Sequence, residues 1–394
     1  MIKALHILHS IEYSGAEIML HQASDIFHEN NIQTTLLACE KKPGQFEQPM
    51  REKGYIVNSV GVDGKLATLK NFYNYFKKNK FDIVHIHTED MYLWRVIALK
   101  LTGHNNIIRS FHNCWTFAGR LRAKRILHRR IASMLGVKNH AIGTAVEANE
   151  RDTFLNKTFI INNWIQLKPE ILERKQEIRQ QKRQELNIDA DSFVIISIGG
   201  CSNVKNHEFI LNLIEPLSKK GLKVTYLHVG AGKDEEAEKV SAKTLGVDSK
   251  VIFTGNRKDI PELLICADIY LMPSLFEGLS IALLEAMYYN GLVVVNDAPG
   301  LTNMIDMAQT GYVIDVKEKD QYLDLIARVG KGQIDVSQMR SNARTFVEEN
   351  FSMEVNVRKL IAFYKQNTQL DQKENKDQIL PVAEAGLSKL TSGV

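Results

Sequence analysis

The chain has 394 residues, 44% hydrophobic and 24% charged, with a formal net charge of +4. That length fits two domains and a tail, the composition is that of an ordinary soluble globular protein, and so small a charge gives no argument for a nucleic-acid partner. The four cysteines, Cys39, Cys114, Cys201 and Cys266, form no CxxC pair, so neither a zinc site nor a disulfide framework is suggested, and reduced thiols in a cytosolic compartment are expected.

The opening "MIKALHILHS" lacks a long apolar region and a small-residue cleavage site, so it reads as a first strand and not as a signal peptide. No run of about 18 apolar residues follows anywhere, and no transmembrane helix is expected. The loop "EYSGAE" (12–17) comes next and opens a helix reaching about Asn30. Ser14, Gly15 and Ala16 are small enough to let backbone N–H groups approach a phosphate, although a plain strand-to-helix turn has the same composition. "QTTLLAC", a helical stretch around "FEQPMREKG", then "FDIVHIHT" and "MYLWRVIALKLTG" continue the alternation of β and helical runs. In "NIIRSFHN", His112 stands just past a strand, where it could meet a sugar hydroxyl or a phosphate. His85 and His87 alternate within a strand, so at least one of them is structural.

From Asp90 to Glu147 no acidic residue intervenes, while ten Lys/Arg do, six of them in "RLRAKRILHRR" (120–130). Read as a helix, Leu127, Ile131, Met134 and Leu135 form an apolar stripe, and Arg122, Arg125 and Arg129 line another face. Such a helix suits an anionic membrane surface or a basic solvated face over an ordinary core. "NHAIGTAV" and "KTFIINN" complete a first unit, residues 1–168.

A charged segment, "KPEILERKQEIRQQKRQELNIDADS", reads as a linker plus an entry helix. The alternation restarts at "FVIISIGG" and runs through a second unit, 169–350. Residues 351–366 read as a helix packing back on the first unit, and 367–394 as a polar, flexible tail. The fold class expected is α/β, two doubly wound Rossmann-like domains facing across a cleft, with ligands at the carboxyl ends of the strands. "GGCSNVKNHE" places Lys205 after a strand and beside a helix start, as a diphosphate clamp or a loop-capping surface lysine. "HVGAGKDEE" is an incomplete dinucleotide fingerprint, read as a tight turn with Gly230 and Gly232 bordering a nucleotide. "FTGNRKDIPELL" offers backbone and Asn256 for a base edge. The "DAD" at 189–191 precedes a strand and is discounted as a metal motif. In "PSLFEGLSIALLEA" (273–286), Glu277 falls in a strand-to-helix loop and Glu285 inside the helix, on a face with Ile281, Ala282, Tyr288 and Tyr289. A carboxylate there needs a partner: an internal hydrogen bond, or ligand hydroxyls.

These residues resemble the retaining glycosyltransferases of family 4, with the GT-B fold, and among them the bacterial capsular, exopolysaccharide and lipopolysaccharide enzymes. The resemblance rests on Gly199 with Lys205, on "VIFTGNRKDIPELLICADIYLMPS", on Glu277-Gly278 followed by Glu285, and on "SGAE", "FDIVHIH" and "RSFHN" in the first half. It covers about residues 1–366. It implies that Glu285 accepts the ribose hydroxyls, Glu277 orients the donor sugar, and Lys205 neutralises the diphosphate. The N–H groups of Gly278, Leu279 and Ser280 would meet sugar and diphosphate, Gly15 and Ala16 would close the phosphate side, and His112 would reach the reacting centre. Gly200 replaces a usual arginine, for which Arg257 is a candidate substitute. Ser280 replaces a common proline, and Asn303 a frequent glutamate.

The expected activity is transfer of a hexosyl or N-acetylhexosaminyl group, with retention, from a UDP-sugar to a glycan or lipid-linked acceptor, without cofactor or metal. Peripheral contact with the inner face of the cytoplasmic membrane is expected. The alternatives are a catalytically weak subunit supporting a partner glycosyltransferase, kept open by Gly200, and a nucleotide-sugar epimerase, which the 277–285 pattern does not support.

Overall fold

The computed structural model describes residues 1–61, 64–114, 117–306 and 309–368, apart from the side chains of Asn303 and Asp306. The expectations for Asn303 and for the tail beyond Thr368 therefore lie outside the described residues. Thirteen strands are present among the described residues: β1 Ile2–Leu8, β2 Ile32–Ala38, β3 Ile56–Ser59, β4 Ile83–Ile86, β5 Ile107–Phe111, β6 Lys138–Ala141, β7 Phe159–Ile160, β8 Phe193–Ile198, β9 Val224–Val229, β10 Val251–Phe253, β11 Ile269–Met272, β12 Val293–Asn296 and β13 Tyr312–Ile314. They form two wholly parallel sheets, in the orders β3-β2-β1-β4-β5-β6-β7 and β10-β9-β8-β11-β12-β13. The strand runs are apolar on both faces because helices cover both sides of a parallel sheet. In β4, β11 and β12 every residue is buried. The two doubly wound domains are those the alternation predicts.

Two elements of the first domain escape a reading in chain order. β3 is an edge strand with only Val57 buried. The helix Gly64–Lys78 buries Thr68, Phe72 and Phe76 alone, a stripe too narrow to stand out in a polar stretch.

The charged segment after the first domain folds as the helices Pro169–Glu173 and Lys175–Glu185. Its basic residues dock it. Arg179 donates to the carbonyls of Ile265, Cys266 and Ala267, and Arg183 to that of Cys266. Both also pair with Asp268. Guanidinium groups thus fill the orphan carbonyls ending the helix Ile260–Cys266. Asp189 and Asp191 of the "DAD" both pair with Lys223 at the surface.

The chain passes between domains twice, side by side. Ile165 N–H donates to Phe351 O and Met353 N–H to Ile165 O, each at 2.9 Å. The helix Met353–Asn367 then buries Val357, Leu360, Ile361 and Tyr364 in the first domain's core beside Ala23 and Phe27. At about 1.5–3 kcal/mol for each large apolar side chain removed from water, this strap is a substantial part of that domain.

Candidate active site

In the second sheet the chain winds outward from β8 through β9 to β10 and then returns to β11 beside β8. The crevice of a doubly wound sheet opens at such a reversal. The two loops above it, after β8 and after β11, carry Lys205 and Glu277. Lys205 Nζ lies 2.6 Å from Glu277 Oε1, both largely withdrawn from solvent. Each loop is held firmly. Leu275 N–H donates to Val204 O at 2.9 Å, and Glu277 N–H to Pro299 O at 3.0 Å. Gly300, at φ +85°, packs under the Glu277 carbonyl so closely that a Cβ would overlap it.

The helix Ile281–Tyr289 follows, with Ser280 as N-cap accepting from Leu283 N–H at 3.3 Å. Gly278, Leu279 and Ser280 donate no backbone hydrogen bond among the described residues. Their N–H groups stand free at a helix N-terminus, where anions bind. One turn into the helix comes Glu285, half-buried between the buried Leu284 and Ala286. Among the described residues no donor is in hydrogen-bond contact with its carboxylate. Burial pushes its pKa up to about 7, against which the Lys168 charge acts only weakly. Tyr270 of β11 lies near both glutamates; burial first, then those two charges, raise its phenol. The internal partner that a buried carboxylate needs is not supplied among the described residues.

The first domain closes over this site. A Cβ on Gly278 would run into the carbonyl of His112, and one on Gly15 would lie 3.7 Å from Ile281 Cγ1. The N-termini of the helices Gly15–Glu29 and Ile281–Tyr289 therefore face each other. Each such N-terminus carries a partial positive charge.

Two family models match the chain, one in each domain: "Glycosyltransferase Family 4" over residues 13–152 and "Glycosyl transferases group 1" over residues 178–346. The chain belongs to the family 4 glycosyltransferases. It is 24% identical to Bacillus subtilis EpsF over 319 residues, 77% of this chain and 81% of that one. It is 20% identical over 375 residues to the Escherichia coli UDP-Gal:alpha-D-GlcNAc-diphosphoundecaprenol alpha-1,3-galactosyltransferase, covering 92% of this chain and 96% of that one. Among solved structures, Anabaena HepE in complex with UDP and glucose superposes with a TM-score of 0.73 at 19% identity, covering 93% of this chain and 100% of that chain. The fold is GT-B.

Several expected contacts of this glycosyltransferase take a different form. Gly199 N–H is bonded to Val229 O, and Gly230 N–H to Gly255 O, each at 2.9 Å, so neither N–H is offered to a phosphate. Gly199 instead leaves room for the Lys205 stem, which a Cβ would meet at 3.1–3.5 Å. Gly230, at φ +138°, lies against the Gly199 carbonyl. Asn256 uses Oδ1 to accept Ala231 N–H at 3.1 Å. Arg257 does not substitute for the arginine absent at Gly200. Its guanidinium is bonded to Asp259 at 2.6 and 2.7 Å and to Glu185 at 2.9 Å.

The basic helix Gly119–Met134 is turned differently from the sequence expectation. Arg129 is buried, bound through both ends of its fork to Glu150 at 2.7 Å. Arg125 pairs with Glu89 and Asp90, and Arg122 donates to Thr153 O. Arg125 and Arg129 join Arg109 and Glu89 in an internal network and do not form an outer face, while Arg122 stays exposed. Exposed on this helix are Leu121, Leu127 and Met134, with Arg120, Arg122, Lys124 and Arg130. A desolvated charge goes to its counter-charge, and those counter-charges, Glu89 and Glu150, lie outside the helix.

His112 ends a chain of hydrogen bonds that sequence reasoning did not find. His112 Nε2 meets His87 Nδ1, and His87 Nε2 meets His6 Nδ1, each at 2.9 Å. His6 Nε2 lies 3.3 Å from the Tyr364 hydroxyl, which is 2.6 Å from His85 Nδ1. His85 Nε2 and His140 Nδ1 share the Ser110 hydroxyl, each at 2.6 Å, and His140 Nε2 meets Ile161 O at 2.8 Å. Burial lowers all five imidazoles, His112 and His140 to about 4 and His6 to about 3, so they are neutral at pH 7. A carbonyl only accepts, so His140 carries its proton on Nε2. Neutrality then fixes every later step: Ser110 donates to His140, His85 to Ser110, Tyr364 to His85, His6 to Tyr364, His87 to His6, and His112 to His87. His112 is left with an unprotonated Nδ1, an acceptor for a hydroxyl. The signal in the sequence is the register: His6 pairs with His85 across β1 and β4, and Ser110 with His140 across β5 and β6. Tyr364→Phe removes the link from the strap helix. It should lower kcat about tenfold, with the donor KM and the fold nearly unchanged; steady-state kinetics beside circular dichroism checks this.

Proposed function

We propose that this glycosyltransferase moves a hexosyl or N-acetylhexosaminyl group, with retention, from a UDP-sugar to a hydroxyl of a glycan or lipid-linked acceptor in cell-surface polysaccharide synthesis. The observation carrying this reading is the unpartnered, half-buried Glu285 one turn beyond the Lys205–Glu277 pair. A carboxylate lacking internal donors suits a pair of ribose hydroxyls, and Lys205 beside Glu277 suits a diphosphate. The Escherichia coli relative acts, by its name, with UDP-galactose on a diphosphoundecaprenol-linked sugar, and HepE binds UDP and glucose. Both support UDP, and the first supports a lipid-linked acceptor.

In this reading the anomeric C–O bond to the diphosphate breaks while the acceptor oxygen bonds to the same face of the sugar. Lys205 and the free N–H groups at 278–280 take up the charge on the leaving diphosphate. The leaving phosphate accepts the acceptor hydroxyl's proton, which retention allows. Glu277 orients the sugar, His112 Nδ1 accepts from a hydroxyl at the reacting centre, and Lys205 supplies the positive charge without a donor-site metal. The decisive experiment incubates the protein with UDP-glucose, UDP-galactose or UDP-N-acetylglucosamine and a polyprenyl-diphosphate-linked sugar, and reads the product's anomeric configuration by NMR. An α-linked product from an α-linked donor is expected. An inverted product would refute retention, and the absence of both transfer and nucleotide binding would favour the partner-supporting subunit.

The site is reached from the cytoplasmic face, where nucleotide sugars are made. No helix among the described residues is long and apolar enough to cross a membrane. The exposed Leu127 and Met134 beside Arg130 make the surface for peripheral contact. Replacing Leu127 and Met134 with Ser and Arg130 with Glu should abolish cosedimentation with anionic phosphatidylglycerol vesicles. Undiminished binding by that variant would remove this surface from the reading.

A further inference from the structure

Behind the Lys205 loop lies a second cluster that the transfer chemistry does not use. Cys201 belongs to that loop. His207 is the first residue of the helix His207–Lys219, His228 the last but one of β9, and Glu238 belongs to the helix Glu235–Thr244. None of the four is more than 8% exposed. His207 Nδ1 lies 3.0 Å from His228 Nε2 and 3.1 Å from Glu238 Oε1, and His228 Nε2 lies 2.9 Å from Glu238 Oε2. Cys201 Sγ is 3.9 Å from His228 Nε2. The sulfur, the two imidazole nitrogens and a carboxylate oxygen all fall within 4.8 Å of one another.

A tetrahedral zinc with bonds of about 2.0–2.1 Å to nitrogen or oxygen and about 2.3 Å to sulfur sets its ligand atoms about 3.3–3.6 Å apart. The separations among the two imidazoles, Glu238 and the Cys201–His228 pair, 2.9–3.9 Å, bracket that range, so small side-chain adjustments would complete the sphere. The other histidine cluster, His6, His85 and His87, is different, because each of its ring nitrogens is already committed to the chain ending at His112.

We propose that Cys201, His207, His228 and Glu238 bind one zinc ion that braces the diphosphate loop. One sulfur, two nitrogens and one carboxylate fit zinc by softness and by geometry. With four protein ligands the sphere is closed, so the ion is structural and offers no position to a substrate. Binding displaces the Cys201 thiol proton to solvent, and affinity rises with pH. The ion ties the loop carrying Lys205 to β9 and to two helices. The Cys201 backbone is already clasped, since a Cβ on Gly232 would meet its carbonyl at 2.6 Å.

The test is the metal content of the full-length protein, measured by inductively coupled plasma mass spectrometry after equilibration with zinc and gel filtration. One zinc per chain is expected, with affinity reduced more than about 100-fold in Cys201→Ser and His228→Gln. Cobalt(II)-loaded wild-type protein should show the intense visible bands of a tetrahedral site and a thiolate-to-cobalt charge-transfer band, whether or not the variants fold. Absence of that band, of bound zinc, or of any difference between wild type and the variants overturns the proposal. These readouts need no sugar nucleotide, so they stand apart from the assignment of the donor.

Discussion

Lys205→Ala is expected to lower kcat/KM by about 10²–10³-fold, near 3–4 kcal/mol of transition-state stabilisation. In the proposed site Lys205 is the cation for the leaving diphosphate, since Gly200 stands where the resemblance implies an arginine and Arg257 is held by Asp259 and Glu185. Its contact with Glu277 at 2.6 Å fixes where the ammonium sits before the donor arrives. The substitution also leaves Glu277 as a half-buried charge without its counter-charge, so a modest fall in Tm accompanies the loss of activity. The double variant Lys205→Ala, Glu277→Gln should recover the Tm and not the activity. Steady-state kinetics and thermal denaturation of the three proteins separate the two effects. Activity within threefold of wild type in Lys205→Ala would place the diphosphate elsewhere.

The second large effect belongs to Glu285, and it has opposite signs for binding and for stability. Only the carboxylate accepts from two hydroxyls, and its pKa in the folded protein is about 7 against 4.5 for the group in water. Nucleotide binding should therefore tighten about tenfold between pH 6 and pH 8, with proton release on binding at neutral pH. Stability moves the other way. The unfolded chain loses this proton near pH 4.5 and the folded chain holds it until about 7, so the group's contribution falls across that window and is least favourable above it. Glu285→Gln should abolish UDP binding while stabilising the protein by about 1–3 kcal/mol at pH 8, a gain that disappears below pH 4.5. Isothermal titration with UDP and denaturant unfolding at the two pH values measure both. A variant that binds UDP normally, or that gains nothing at pH 8, would contradict this role.

How much of the site was legible follows from the range of the interactions. Glu277, Glu285, Lys205 and His112 could be placed because each follows a recognisable strand, and a doubly wound sheet collects such positions on one edge. The unfavourable setting of Glu285 was visible from helical spacing alone. The inward turn of Arg125 and Arg129, away from the exposed Arg122, was not legible because a helix's own periodicity does not contain the carboxylates packed against it. Gly199 and Gly230 follow β8 and β9 as the strand pattern implies, but their N–H groups are bonded to neighbouring chain segments, which no local pattern shows.

The sequence by itself determined the two α/β domains, the strand-end positions of the donor-site residues and the family resemblance, because strand period, helix period and turn residues act over a few neighbours. The tertiary structure alone decided the direction of Arg129, the proton order of the five histidines and the convergence of Cys201 with His207, His228 and Glu238. His85 and Tyr364, bonded at 2.6 Å, are 279 positions apart. Only strand register and the returning strap helix bring them together, and no local pattern of residues encodes a contact at that distance along the chain.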